Sequence, residues 1–220
     1  MLKLFYSPGA CSLASHIALE EAGADYEAVR VDLKSGEQNR PEYRKLNPKG
    51  RVPALATERG VLTESPVILG YIAQTHPEAK LAPNDDSFAF GDMQAFNMFL
   101  AASVHVAYAH AFRPERYVKG EAGVAAAKAR TPEALDEYFN QIEDRFADGR
   151  PYVHGEAYTV SDPYLYVFTR WLERDGLGHP ERYPQVLAHR QRLDTRPAVR
   201  KVIAAEGLPL IGRGSRRERV

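Results

Sequence analysis

A small α/β unit followed by a larger all-helical one is the fold class this sequence predicts. Three observations predict it. Strand and helix signals alternate over the first third of the chain. A cluster of prolines and polar residues between Pro77 and Asp86 then breaks the pattern. Beyond that cluster, period-two strand signals nearly vanish while helical periodicity persists. A chain of 220 residues has room for both units. The predicted division is an α/β unit over 1–78, a linker over 79–86 and a helical unit over 87–210. A tail over 211–220 follows, rich in arginine and expected to be disordered.

The elements follow in order. Leu2 to Tyr6 reads as a strand, and Ser12 to Glu21 as a helix with Leu13, Ile17 and Leu19 among its apolar positions and Gly23 as its stop. Val29, Val31 and Leu33 recur at period two, which predicts a second strand over Tyr26 to Leu33. A strand–helix–strand unit implies parallel pairing through a crossover helix. A short helix is expected after Pro41, then a loop at Asn47-Pro48-Lys49-Gly50. Ala54 to Thr57 and Val61-Leu62 are close enough in sequence to form a hairpin. Ser65-Pro66 predicts a helix start, with Ser65 as N-cap and Pro66 as the first helical residue. The order is βαβ, then ββα.

In the second unit, Phe88 to about Ala111 reads as one long helix. Thr131-Pro132 is expected to cap the next, whose Leu135, Tyr138, Phe139, Ile142 and Phe146 keep helical spacing. Thr159-Val160-Ser161-Asp162 has capping-box spacing, with Asp in place of the usual Glu, ahead of a helix carrying Leu165, Phe168, Trp171 and Leu172. Pro184 to Leu193 and Pro197 to Glu206 complete the helices.

Composition narrows the function classes. Lys plus Arg and Asp plus Glu both number 29, so no overall charge recruits nucleic acid or an anionic membrane. No apolar run approaches the ~20 residues of a membrane span. The N-terminus reads as a strand, not a signal peptide. A single cysteine excludes an internal disulfide and suits a reducing compartment. A cytoplasmic protein is expected, with neither nucleic acid nor membrane as partner.

That cysteine, Cys11, sits in the turn Ser7-Pro8-Gly9-Ala10-Cys11-Ser12 directly before a helix. The helix dipole and free backbone N–H groups there favour a thiolate, and a fall of about two units from the ordinary pKa would make it the major form near neutrality. Position alone leaves two readings open, a nucleophile or a small buried apolar residue. Ala14 stands where a Cys-x-x-Cys partner would be, so any redox cycle needs an external thiol and a mixed disulfide. His16 and Glu20, at i and i+4, are too few to predict a metal site, and none is expected.

Four motifs in order resemble those of bacterial glutathione S-transferases of the beta class. They are Tyr6 to Leu13 followed by His16-Ile17-Ala18-Leu19, Asn47 to Leu55, Leu62-Thr63-Glu64-Ser65, and Thr159 to Asp162. The resemblance spans Met1 to about Leu208. It implies a thioredoxin-like βαβ-ββα domain ahead of an all-helical domain that holds a hydrophobic or electrophilic co-substrate, glutathione as co-substrate, and a homodimer.

The resemblance also assigns residues. Val52-Pro53 matches the segment with a cis proline that pairs, strand-like, with the cysteinyl part of glutathione; X-Pro is the bond that tolerates cis at a cost of only about 0.5–1 kcal/mol. Glu64 and Ser65 match the groups that hold the γ-glutamyl end, Glu64 against its ammonium and Ser65 against its carboxylate. His105 matches a histidine facing the thiol across the cleft, where it stabilises a thiolate or works as acid or base. Ser12 is an auxiliary donor to a sulfur, and Tyr6 a weaker candidate. Lys34, Lys49 and Arg51 are candidates for the glycine carboxylate, although the loop at Lys34 is one residue shorter than the family's. Phe96, Met98, Phe99, Tyr108 and Phe112 are candidate lining for the co-substrate. His110 gains no role. The reactions implied are conjugation to electrophiles and thiol–disulfide exchange through Cys11. The alternative is a scaffold that keeps the fold without turnover.

Overall fold

The computed structural model describes residues 1–173 and 177–210. The tail 211–220, and the disorder expected of it, lie outside the described residues.

A four-stranded sheet forms the first unit, from β1 (Leu2–Tyr6), β2 (Tyr26–Arg30), β3 (Ala54–Thr57) and β4 (Gly60–Thr63). Its order is β2-β1-β3-β4. β1 runs parallel to β2, with Leu4 opposite Ala28. It runs antiparallel to β3, which forms the expected hairpin with β4. α1 (Ser12–Glu21) is the crossover between β1 and β2, α2 (Pro41–Leu46) follows, and α3 (Ser65–Thr75) completes the unit.

β2 ends three residues before the expected Leu33. The carboxylate of Asp32 accepts the N–H groups of Lys34 and Ser35, at 3.0 and 3.3 Å, and folds the chain into a turn.

The helical unit comprises α4 (Ser87–Phe99), α5 (His105–Phe112), α6 (Gly120–Arg145), α7 (Ser161–Trp171), α8 (Pro184–Asp194) and α9 (Pro197–Ala205). One hydrophobic core runs through both units, from Leu4, Leu13 and Ile17 to Tyr108, Leu165 and Phe168. The linker is pinned into it. Leu81 is buried, and its carbonyl accepts the N–H of Val160. Asp86 caps α4 by accepting from Phe88 and Ala89. The two units therefore pack as one body, with α1 against α7 and α9.

Three local expectations need correction. Ser65 is not the N-cap of α3 but its first helical residue. Glu64 takes the cap position, with φ of 72° and no side-chain cap bond. The single helix expected from Phe88 is interrupted by a π-helical turn, Leu100–Val104. That turn places His105 at the start of α5, and such π-turns recur at functional positions. Thr131-Pro132 lies inside α6 rather than at its start. The Thr131 hydroxyl turns back onto the Ala127 carbonyl at 3.0 Å. The preceding turns, rich in alanine, form helix through propensity and carry no apolar stripe to announce it.

The carboxylate half of the Thr159–Asp162 box forms as spaced, but Val160 rather than Thr159 takes the cap position of α7. Asp162 accepts the Thr159 N–H at 2.7 Å, and Thr159 Oγ1 accepts the Ser161 N–H at 3.3 Å. The same buried carboxylate also accepts from Val153 N–H and meets His189 Nε2, both at 2.9 Å. Asp162 thus ties the start of α7 to the loop after α6 and to α8.

Candidate functional site

Cys11 occupies the cap position of α1, and its residue is 9% exposed. Its Sγ donates to the Val52 carbonyl at 3.3 Å. Val52 is itself held in place. The preceding carbonyl, that of Arg51, accepts from the Tyr43 hydroxyl and from Asn47 Nδ2, both at 2.7 Å. Val31, Tyr43 and Val52 form a small apolar cluster under this loop. The Val52–Pro53 bond is cis. The Val52 N–H has no hydrogen-bond partner among the described residues, so it is available to a strand-like ligand.

The turn before Cys11 is clamped from the helical unit. The Gly9 N–H donates to Glu206 Oε2 at 2.8 Å, and the Trp171 indole donates to the Gly9 carbonyl at 2.9 Å. Gly9 has φ of 67°, the left-handed region where glycine is favoured, and a β-carbon there would lie in van der Waals contact with Leu208.

A cleft of about 400 Å³ opens over this turn, between the sheet side and α5. Cys11, Lys34, Arg51, Val52, Pro53, Glu64, Ser65 and His105 all border it. Ser12 and Tyr6 do not. Ser12 is fully buried; its Oγ accepts the Ser7 N–H at 3.1 Å and donates to the Ser7 carbonyl at 3.3 Å, so it braces the turn. Tyr6 packs in the core with its ring 4.9 Å from that of His16. Lys49 is absent from the lining. Its Nζ meets Glu64 Oε1 at 2.5 Å and Thr63 Oγ1 at 3.0 Å. Of the five apolar side chains expected to line the co-substrate space, Phe112 does so. Tyr108 is buried and donates to the Phe168 carbonyl.

The electrostatics reverse one expectation. Burial pushes the Cys11 thiol up to about 11, although the Ser65 hydroxyl and the Arg113 charge pull it down. Loss of water outweighs the helix terminus, so the thiol is neutral near pH 7. His105 is driven the other way, down to about 4, first by burial and then by the charges of Arg51 and Arg113. It is a neutral imidazole near pH 7, set against Trp171 and Phe168 with ring centres 5.4 and 5.6 Å away. It offers a hydrogen bond, not a positive charge.

Among the bordering residues that escaped the sequence reading are Arg113, Arg116, Tyr117, Tyr164 and Trp171. Arg113 and Arg116 lie at and just beyond the end of α5, where a charged residue reads as an ordinary helix terminus. Tyr164 and Trp171 carry the same helical spacing as the core residues around them. Nothing in the sequence alone separates them from the core.

A second cleft, of about 610 Å³, lies beside the linker and is bordered by Asp92, Arg145 and His154. His154 stands 3.1 Å from Asp92 and 3.0 Å from the Ser161 hydroxyl, the order of a nucleophilic triad. The chemistry differs. Ser161 is fully buried and donates to Asn97 Oδ1 at 2.9 Å, and Arg145 also reaches His154 Nδ1, at 3.1 Å. This is a polar strut between α4 and α7, not a reactive hydroxyl. Among the described residues no group of three His, Cys, Asp or Glu side chains is placed to hold a metal ion. No helix there is long and apolar enough to cross a membrane.

Comparison with known proteins fits this arrangement. Residues 1–74 match the family model "Glutathione S-transferase, N-terminal domain", and residues 125–192 match "Glutathione S-transferase, C-terminal domain". The chain is 35% identical over 215 residues to glutathione S-transferase GstA of Escherichia coli O157:H7, covering 94% of this chain and all of that protein. A glutathione transferase homologue from Sulfitobacter, solved with bound glutathione, superposes with a TM-score of 0.88 at 38% identity, over 95% of this chain and 99% of that one. A beta-class enzyme from Sphingomonas chungbukensis gives 0.83 at 36% identity, over 94% of this chain and 100% of the other. A cis Val52–Pro53, a cysteine under it, and the βαβ-ββα sheet packed on helices thus stand in a chain that belongs to the glutathione S-transferase family.

Proposed function

We propose that the chain binds glutathione in the 400 Å³ cleft and transfers it, both to electrophiles and through a mixed disulfide on Cys11. One observation carries the proposal: the Cys11 thiol sits 3.3 Å from the carbonyl of Val52, whose N–H is left open to a ligand strand. A glutathione laid along Val52 brings its sulfur to Cys11. Its charged γ-glutamyl end then meets Ser65 and Glu64, on the same wall. Arg51 and Lys34 border the cleft as cations for the glycine carboxylate. Ser12 serves by bracing the turn and Tyr6 by packing in the core, rather than by touching sulfur.

Exchange runs in two balanced steps. Cys11 gives up its proton, and its sulfur attacks the glutathione sulfur of a mixed disulfide; the old S–S bond breaks and the departing thiolate takes a proton. A second glutathione then attacks the Cys11 adduct, releasing glutathione disulfide and restoring the thiol. Burial makes the thiolate scarce at neutral pH, and the nearby Ser65 hydroxyl and Arg113 charge favour it. In conjugation the glutathione sulfur itself attacks, and the leaving group departs with the bonding electrons. Neutral His105 supplies a hydrogen bond to the sulfur or accepts its proton.

A homodimer fits the exposed apolar side chains of α3 and α4. Val67, Phe88 and Met98 are 50%, 86% and 52% exposed, apolar surface that a partner subunit would cover. The lone cysteine fits a reducing, cytoplasmic setting.

Intact-mass measurement after exposure to oxidised glutathione tests the proposal. A single glutathione-sized adduct is expected, absent in Cys11→Ala. If neither protein gains an adduct and glutathione-agarose retains neither, the scaffold alternative holds instead.

A further inference from the structure

The helical wall of the cleft carries more positive charge than glutathione needs. Arg51 and Lys34 border it on the sheet side and are the cations proposed for the glycine carboxylate. Arg113 and Arg116 border it on the opposite side, at the end of α5 and on the turn that follows. Neither arginine has a carboxylate within ion-pair distance among the described residues, and Arg51, on the facing wall, has none either. The acidic side chain of the cleft, Glu64, is already engaged by Lys49. The guanidinium charges oppose one another: burial first, then Arg113 and Arg51, hold Arg116 below its ordinary range, with Tyr117 and Glu115 offsetting this only in part. Crowding like charges without a counter-ion is unfavourable, and an anion of the ligand relieves it. Phe112, Tyr117 and Trp171 border the same end of the cleft, a surface for a flat ring.

We infer that the co-substrate is an aromatic anion, its ring against Trp171 and Phe112 and its carboxylate or other oxyanion on Arg113 and Arg116. This rests on the glutathione reading above and names the substrate class of the same site. It narrows the hydrophobic or electrophilic co-substrate expected from the sequence to one that carries charge. A planar guanidinium pair suits a carboxylate, sulfonate or phosphate through paired N–H···O bonds.

Two synthetic glutathione conjugates test it without requiring turnover. One is made from 4-chloro-3,5-dinitrobenzoate and the other from its methyl ester, so they differ only in the aromatic carboxylate. Binding is followed by the fluorescence of Trp171, the one tryptophan of the chain. The carboxylate conjugate is expected to bind about tenfold more tightly than the ester at low salt. The ratio should shrink as salt rises and approach one in Arg113→Gln/Arg116→Gln. A ratio near one in the unaltered protein, or a preference that survives the double substitution, overturns the inference. So does a double variant that loses affinity for glutathione itself by the same factor, because the arginines would then hold the glycine carboxylate. Glutathione titrated alone on the unaltered protein separates the two levels. If it fails to bind, the glutathione reading itself falls and this inference with it.

Discussion

His16 Nδ1 lies 2.8 Å from Glu206 Oε1, joining the first helix to the residue that ends the last one. The two are 190 positions apart in sequence and 3% and 6% exposed. The other oxygen of Glu206 accepts the Gly9 N–H, so one buried carboxylate fixes both α1 and the turn that presents Cys11. Replacing Glu206 with Ala leaves the imidazole and the Gly9 N–H without their acceptor. The expected cost is about 2–3 kcal/mol, in the range of hydrogen bonds to a charged group together with the groups left unsatisfied. Urea unfolding of His16→Ala, Glu206→Ala and the double variant measures it. A coupling energy between the two sites of about 1 kcal/mol or more is expected, and a value near zero would mean that the contact contributes nothing.

The Cys11 thiol, pushed up to about 11 by burial, should react slowly at neutral pH and faster in alkali. Only the thiolate is alkylated, so the rate with iodoacetamide should rise about tenfold per pH unit from pH 7 to pH 10. The sign follows from the raised value: the neutral thiol is the form that the fold favours. A rate that levels off near pH 6 or 7 would instead reveal an activated thiolate, with the helix terminus outweighing burial.

His105 behaves oppositely. Its value is lowered to about 4, below the ordinary 6.5, so the fold favours the neutral ring. Between those values the unfolded chain binds the proton and the folded one does not. The stability contributed by His105 is therefore present above pH 6.5 and lost as pH falls toward 4, by at most about 3 kcal/mol. Ring resonances of His105 should show no titration from pH 8 down to pH 5, and His105→Phe should flatten the acid side of the stability profile. A midpoint near 6.5 would refute the shift. Any change of activity near neutrality then belongs to another group.

Much of this was legible in the sequence, and the reasons differ from element to element. The sheet and α1 showed because alternation and helical spacing follow directly from which face is buried. The capping box showed because Thr159 and Asp162 bond locally. The other partners of Asp162, Val153 and His189, come from distant elements, and no local pattern predicts them. The first half of α6 was hidden for a different reason: it is largely exposed, so it carries no stripe, and Thr131-Pro132 imitated a start. The sequence left the state of Cys11 open between a thiolate and a buried thiol because a helix N-terminus is visible in sequence and desolvation is not. Arg113 and Arg116 stayed unseen because a cleft wall assembled from two units has no sequence period.

Lys49 and Glu64 offer the sharpest test of how the charged end of glutathione is recognised. Glu64 holds φ of 72°, a conformation uncommon outside glycine, and its carboxylate meets Lys49 Nζ at 2.5 Å. Strain of this kind persists where the surroundings fix the residue, often at ligand sites. If Glu64 takes the role proposed for it, the lysine ammonium occupies the position that the γ-glutamyl ammonium would take, and the ligand would have to displace it. The ion pair is about half exposed on both sides, so it is worth no more than about 1 kcal/mol. Replacing Lys49 with Gln should tighten glutathione binding by a factor of up to about five. It should also make binding less sensitive to salt, since no ion pair has to break. Calorimetric titration at two ionic strengths reads both effects. Weaker binding in Lys49→Gln would assign the lysine the opposite role, a direct hold on a glutathione carboxylate, and would leave Glu64 without a competitor to displace.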